Sequence, residues 1–437
     1  MALAMQTPTA LAVLVFLAWL PAEASAGSFR GYQASVESQR GSDLLDDLER
    51  VLGGSRRAAA EGRAASFEDA MRPIFRSLPK ADGDRLPASG VRYLLHRVFV
   101  ERHGWFVEGL MSRGDSWNSS SPAAFFAEHA GEATEDIFER RLGGEGLSLH
   151  EAAVFAATLE SLVHEETLER LHAAFRVLSL DSKEAAATEH EVERVIDTYM
   201  LMLVLGLNHT TVSPSLVGRT WENIDRIYPT WHETQKWVRE VRKEVVSASP
   251  ETRTSFGTTT QVLEEVADRY GRWQDSECIA LKEDLMQHEH GDTGRVLLKD
   301  FYSAALNGSF QYTESKEYLR EHGILDETNP SQPSVIIPNY VNGPSNCLAS
   351  SKFYSVCCIN ECEALLKPLE RHIGAPDATP SQILELVERL PSASVDAPRK
   401  LSSTLLRRLE EIAERHGGRV PIHGRLFAQW MHHAYPR

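Results

Sequence analysis

Four times along the chain a helix-patterned stretch breaks into a glycine-bearing turn, passes a hydrophobic–X–hydrophobic triplet and resumes a helical pattern. Two copies share one grammar, Gly83-Asp84-Arg85-Leu86-Pro87-Ala88-Ser89-Gly90 and Gly417-Gly418-Arg419-Val420-Pro421-Ile422-His423-Gly424. A third reads Gly294-Arg295-Val296-Leu297-Leu298-Lys299-Asp300-Phe301, and another Gly144-Glu145-Gly146-Leu147-Ser148-Leu149-His150-Glu151. Short helices are marginal in water on their own, so a chain built this way must pack its helices against one another around such turns.

Helix signals dominate elsewhere. Ser66-Phe67-Glu68-Asp69 reads as a capped helix start, and Thr379-Pro380-Ser381-Gln382 as a capping box with Pro in the first turn. Leu405, Leu406, Leu409 and Ile412 recur at helical spacing within Leu401–His416, as do Trp237, Val238, Val241 and Val245 within Trp231–Val246. The best strand signal is the short Val335-Ile336-Ile337. The expectation is an all-α fold of two pseudo-repeated halves of paired helix–loop–helix units, with a cysteine-pinned irregular segment. Its divisions are a polar lead-in at 27–64, a helical domain at 65–246, a Ser/Thr-rich linker at 247–260 and a second helical domain at 261–437. The second domain carries a Cys-rich insertion at 328–372.

The register of the turns resembles the EF-hand, whose loop of about twelve residues has Gly at the sixth position, an aliphatic at the eighth and an acid at the twelfth. The third unit fits best, over 289–300, and makes Glu289, Asp292 and Asp300 the candidate calcium ligands. At positions one, three, five and twelve the first unit offers Pro79, Ala81, Gly83 and Gly90. The second offers Arg140, Leu142, Gly144 and Glu151, and the fourth Ala413, Arg415, Gly417 and Gly424. Those sets lack the converging oxygens calcium requires. The resemblance therefore implies degenerate loops, paired through their aliphatic residues without an ion.

The N-terminus suggests export. Leu11–Leu20 is uncharged and apolar, too short for a bilayer, and precedes Ala24-Ser25-Ala26, although no Lys or Arg stands before it. A signal peptide at 1–26 is the expectation, with no later span long enough to cross a membrane; Tyr199–Leu207 reads as a core helix. Sequons at Asn118, Asn208 and Asn307 support a glycosylated surface in a secreted or lumenal protein. In that compartment the five cysteines, Cys278, Cys347, Cys357, Cys358 and Cys362, read as disulfide formers with one thiol left over. If Cys357 and Cys358 lie on a helix they diverge and need different partners, which staples the turn before Cys347 to that helix and leaves Cys278 for another bond. A zinc site from Cys347, Cys358, Cys362 and His372 matches the preferred spacing poorly, and no C-x-x-C marks a redox centre.

The net charge of −16 excludes the basic face of a nucleic-acid binder. Glu160, His164, Glu169 and His172 lie on one helical stretch and include an E-x-x-H, but Glu160 and His164 fall opposite Phe155, Leu159 and Leu162, so they are expected on a solvated face. No H-E-x-x-H, G-x-S-x-G, phosphate loop or G-x-G-x-x-G occurs. The chain also resembles, over nearly all its length, uncharacterised secreted-type proteins of single-celled algae and other protists. The resemblance is carried by His103-Gly104-Trp105, Trp117-Asn118-Ser119-Ser120-Ser121-Pro122, Ile196-Asp197-Thr198-Tyr199-Met200 and Ser355-Val356-Cys357-Cys358-Ile359-Asn360-Glu361-Cys362. It implies no particular activity. The sequence alone thus favours a secreted binding or structural module, with a protein partner in view and no cofactor. A calcium-binding protein comes next, and an enzyme with an unrecognised site last.

Overall fold

The structure is a computed structural model describing residues 46–47, 54–81, 83–107, 109–110, 122–123, 132–144, 146–180, 188–248, 254–305, 310–348 and 351–436. The signal segment 1–26, Asn118 and Asn307 lie outside the described residues.

The fold is mainly helical with a few short strands and two disulfides. A first body comprises α1 (Gly54–Ser77), α2 (Ala88–His103), β1 (Trp105–Val107), α3 (Glu132–Leu142), α4 (Leu149–Val177) and α5 (Glu189–Val204). It continues through α6 (Pro214–Trp221), α7 (Ile224–Ile227), α8 (Trp231–Ala248) and the first part of α9 (Phe256–Gln287). A second body holds β2 (Arg295–Leu297), α10 (Leu298–Ala304), α11 (Lys316–Glu321), β3 (Leu325–Asp326), β4 (Ser334–Ile336) and α12 (Ile337–Val341). After β5 (Tyr354–Val356), a third body is formed by α13 (Glu361–Ile373), β6 (Asp377–Ala378), α14 (Pro380–Val387), α15 (Ser403–Arg415), β7 (Val420–Pro421) and α16 (Arg425–Ala434).

Capping fixes several boundaries. Ser148, Thr188 and Thr379 each form a full capping box, satisfying helix-start N–H groups that would otherwise lack partners. Ser66 does not start a helix. It lies inside α1, which runs across the expected boundary at 64/65, and its hydroxyl accepts a hydrogen bond from Arg102 at 2.9 Å. The described part of the expected linker is also largely helical: α8 reaches Ala248, and Ser255 caps α9 by accepting the Thr258 N–H. Thr258 and Thr259 are buried, and Phe256 stacks on His172. Val262, Leu263, Val266 and Tyr270 complete the first core, while Leu281 and Leu285 of the same 32-residue helix enter the second. Helix α9 is a shared spine rather than the start of a separate half.

Two of the four glycine turns meet each other. Leu86 and Leu147 exchange backbone hydrogen bonds of 2.8 and 3.0 Å, joining the turn before α2 to the turn before α4. Gly146, at φ 82°, makes that approach possible, since a Cβ there would stand 2.2 Å from the Leu86 carbonyl oxygen. The turns at Gly294 and Gly417 do not pair with each other. Val296 lies opposite Val335, and Val420 opposite Ala378, so each meets a neighbouring turn that lacks the repeated phrase. Val335-Ile336 forms the expected strand, but Ile337 already belongs to α12.

One residue type recurs at these pairings. The arginine immediately before the aliphatic reaches an acid in all three: Arg85 to Glu151 and Arg419 to Asp377 on the opposing segment, and Arg295 to Asp326 at 2.8 Å on β3, the strand beyond its partner β4.

Candidate functional site

Helix α2 presents Arg92 and Arg97 within an otherwise apolar run, and both are buried. Arg97 finds its counter-charge 273 positions away, on α13. Its two terminal nitrogens donate to the two carboxylate oxygens of Glu370 at 2.9 and 3.1 Å, and Glu370 is fully buried. Arg97 also donates to Tyr93 Oη at 2.6 Å and to the Glu363 carbonyl at 3.1 Å, with the Glu363 carboxylate 3.5 Å away. Burial pushes Glu370 upward and Arg97 pulls it back. Burial likewise opposes the charge on Arg97, but Tyr93, Glu370 and Glu363 outweigh it and hold its proton more tightly than usual. The bidentate geometry assigns the ionised pair. This clamp fastens the third body to the first.

Beside the clamp opens a cleft of about 670 Å³. Leu78 and Tyr93 line it from the first body; Leu365, Leu366, Ile422 and Met431 line it from the third. Polar groups are fewer: Ser89, Asn360, Cys362, Glu363, His423 and His432. His423 Nε2 donates to Ser77 Oγ at 2.9 Å, because the Ser77 hydroxyl proton is already given to the Ile74 carbonyl. Burial, then Arg97 and Lys80, depress His423 to about 4, and burial with His433 lowers His432, so both are neutral near pH 7. Burial and the flanking Glu361 and Glu363 raise the Cys362 thiol, which disfavours the nucleophilic thiolate.

A second constellation joins three helices of the first body. His103 Nε2 lies 3.0 Å from Glu160 of α4, and its Nδ1 lies 3.3 Å from Asp268 of α9. The Asp268 contact is an ion-pair distance without hydrogen-bond alignment, since Nδ1 has no hydrogen-bond partner. Arg63 approaches Glu160 to 3.5 Å and Arg102 to 3.9 Å. Burial alone would depress His103, but the Asp268 and Glu160 carboxylates prevail and raise it. The ring stacks on Trp105 at 4.1 Å, which stacks in turn on Tyr354 at 4.7 Å. Glu160 is therefore buried rather than solvated, and His164 contacts Glu264 at 3.4 Å. The expectation failed for Glu160 because α4 is buried on every side over 151–163, so a polar residue there meets protein instead of water; from His164 onward the helix keeps a partly exposed face.

Of the candidate calcium ligands, Glu289 accepts the Gly294 N–H at 2.5 Å, Asp292 is exposed, and Asp300 sits in the first turn of α10. Among the described residues no group of three or more His, Cys, Asp or Glu side chains is arranged to hold a metal ion. The disulfides are Cys278–Cys358 and Cys347–Cys357, with Cys362 free. Cys357 and Cys358 follow β5 and precede α13, so the helix expected to carry them begins only at Glu361, where the Asn360 side chain caps it. Asn208 is exposed, in the turn after α5, and its side-chain oxygen accepts the Thr210 hydroxyl at 2.7 Å. No helix is long and apolar enough to cross a membrane among the described residues.

Sequence reasoning overlooked Arg97 and Glu370. A signal was present: an arginine between Leu94, Leu95, Val98 and Phe99 cannot reach water from a buried face, and Glu370 follows Leu369 in the same way. Comparison with protein-family models, with curated proteins and with solved structures gave no match.

Proposed function

We propose that the chain is a secreted or lumenal helical glycoprotein that serves as a binding module, built on EF-hand-like turn pairs that are closed by arginine rather than calcium. The observation that carries the binding reading is the apolar cleft of about 670 Å³, left open where two bodies are otherwise clamped by a buried ion pair. Ion independence is supported at Glu151, the twelfth residue of its loop, where calcium loops place a bidentate acid. One of its carboxylate oxygens accepts from Arg141 at 2.9 Å; the other takes the Ser148 N–H at 2.9 Å and contacts Arg85. A guanidinium thus supplies the positive charge there. The two disulfides and the exposed Asn208 sequon are compatible with the secretory pathway.

Thermal unfolding in EDTA and in millimolar calcium tests ion independence, with identical midpoints expected. A ligand that binds only the folded state raises its midpoint, so stabilisation by calcium would return the role to Glu289, Asp292 and Asp300. Intact mass before and after glycosidase tests export, with a loss of mass expected from Asn208. Material purified from its native source without sugar would contradict it.

A further inference from the structure

We infer that the cleft between the first and third bodies is a ligand site for an uncharged, lipid-like small molecule with a long apolar body and a hydroxyl or carbonyl head. This rests on the binding-module reading and gives it a chemical class. Five chain segments, at 78–79, 87–93, 360–366, 422–423 and 428–432, converge on one hollow. That arrangement suits an enclosed small ligand better than a helix laid along a trough. Its volume of about 670 Å³ falls within the range of small-molecule pockets.

Charge decides the class. Glu363 is the carboxylate of the lining, and it is already faced by Arg97 at 3.5 Å and His96 at 3.4 Å. Arg97 in turn is engaged by Glu370 and Tyr93. Both lining histidines are neutral near pH 7. A fatty-acid carboxylate would enter beside Glu363 with no spare cation to receive it, which a low-dielectric site penalises. An alcohol or carbonyl head has Ser89, Asn360 and His432 available for hydrogen bonding.

The test is fluorescence titration of the full mature chain with the neutral probe N-phenylnaphthylamine, using dodecanol and dodecanoate as competitors. Saturable binding is expected, with dodecanol displacing the probe about tenfold more effectively than dodecanoate. Filling the hollow with Ala428→Trp, or charging it with Leu366→Asp, should weaken probe binding about tenfold or more. A readout needing no variant is alkylation of the free Cys362 by an uncharged maleimide, which bound dodecanol should slow. Absence of saturable binding, equal displacement by dodecanoate, displacement by an amphipathic helical peptide but not by dodecanol, or unprotected Cys362 would each overturn the assignment. The two failures are distinguishable. Displacement of the probe by the helical peptide but not by dodecanol removes the small-molecule class and keeps the binding-module reading, whereas a cleft that takes up neither probe nor peptide removes both.

Discussion

Replacing Arg97 by alanine leaves Glu370 buried without a cation. Loss of one partner from a buried pair costs about 3–5 kcal/mol, so Arg97→Ala should shift the denaturant midpoint strongly. The double change Arg97→Met with Glu370→Leu should recover most of that loss, because it removes both charges together. His103 carries a pH signature of the opposite kind to a depressed carboxylate. Its folded pKa is raised, so its contribution is fully present below the unfolded value near 6.5 and is lost as pH rises through the folded value. The gap in thermal midpoint between wild type and His103→Gln should therefore be widest in mild acid and shrink toward alkaline pH. Constant separation across that range would exclude Glu160 and Asp268 as the cause. Neither partner was legible in the sequence, since a helical wheel ranks positions by apolar neighbours on one helix. His103 draws its partners from two others, and Arg97 reaches across 273 positions.

The start of α14 was readable from its capping box of Thr379 and Gln382, whereas Ser66, read in the same way, lies inside α1. Pairing of the turns was only half readable. The phrase ending in Arg-aliphatic marks one side of each pair, while the other side is a short extended stretch with no fixed spelling, and the acid comes from that side at Asp377 but from the next strand at Asp326. Burial then sets what each pair is worth. Arg85 and Glu151 are 7% and 1% exposed, whereas Arg419 and Asp377 are 46% and 43% exposed. Arg85→Ala should cost about 1.5–3 kcal/mol, the loss of a buried charged hydrogen bond with Arg141 and Ser148 still holding Glu151, and Arg419→Ala less than about 1 kcal/mol, both read by urea unfolding. A close crossing offers another element-scale check. A Cβ on Gly271 of α9 would lie 2.5 Å from the His103 carbonyl oxygen at the end of α2. Gly271→Ala should therefore destabilise by about 1–3 kcal/mol, the range for overpacking, in spite of alanine's better helix propensity.

Across the whole molecule, α9 and the two disulfides decide how the bodies are tied. Cys278–Cys358 spans 80 residues and fastens the spine to the segment entering α13, where Asp275 also accepts the Ile359 N–H at 2.8 Å. Cys347–Cys357 spans only 10 residues. By loop-closure entropy, removing the long bridge with Cys278→Ser and Cys358→Ser should cost roughly 4–5 kcal/mol, and removing the short one roughly 3 kcal/mol. The helical class was readable because periodicity and caps are local. The division into two halves at 247–260 was not, because Ser and Thr there serve as a cap and as buried hydroxyls rather than as linker residues.

Phe353, Tyr354 and Val356 belong to the core of the first body, although the helices of that body are complete by the middle of α9. Synthesis is vectorial, so those helices are made while Trp105 still lacks the tyrosine that stacks on it and β1 still lacks β5. During that interval the nascent protein exposes an unpaired strand edge and an aromatic face, features that attract chaperones and invite aggregation. The first body to be made is in this sense among the last to be finished. The residues that complete it are followed directly by Cys357 and Cys358, so closure of that core and both disulfides draw on one short stretch of chain.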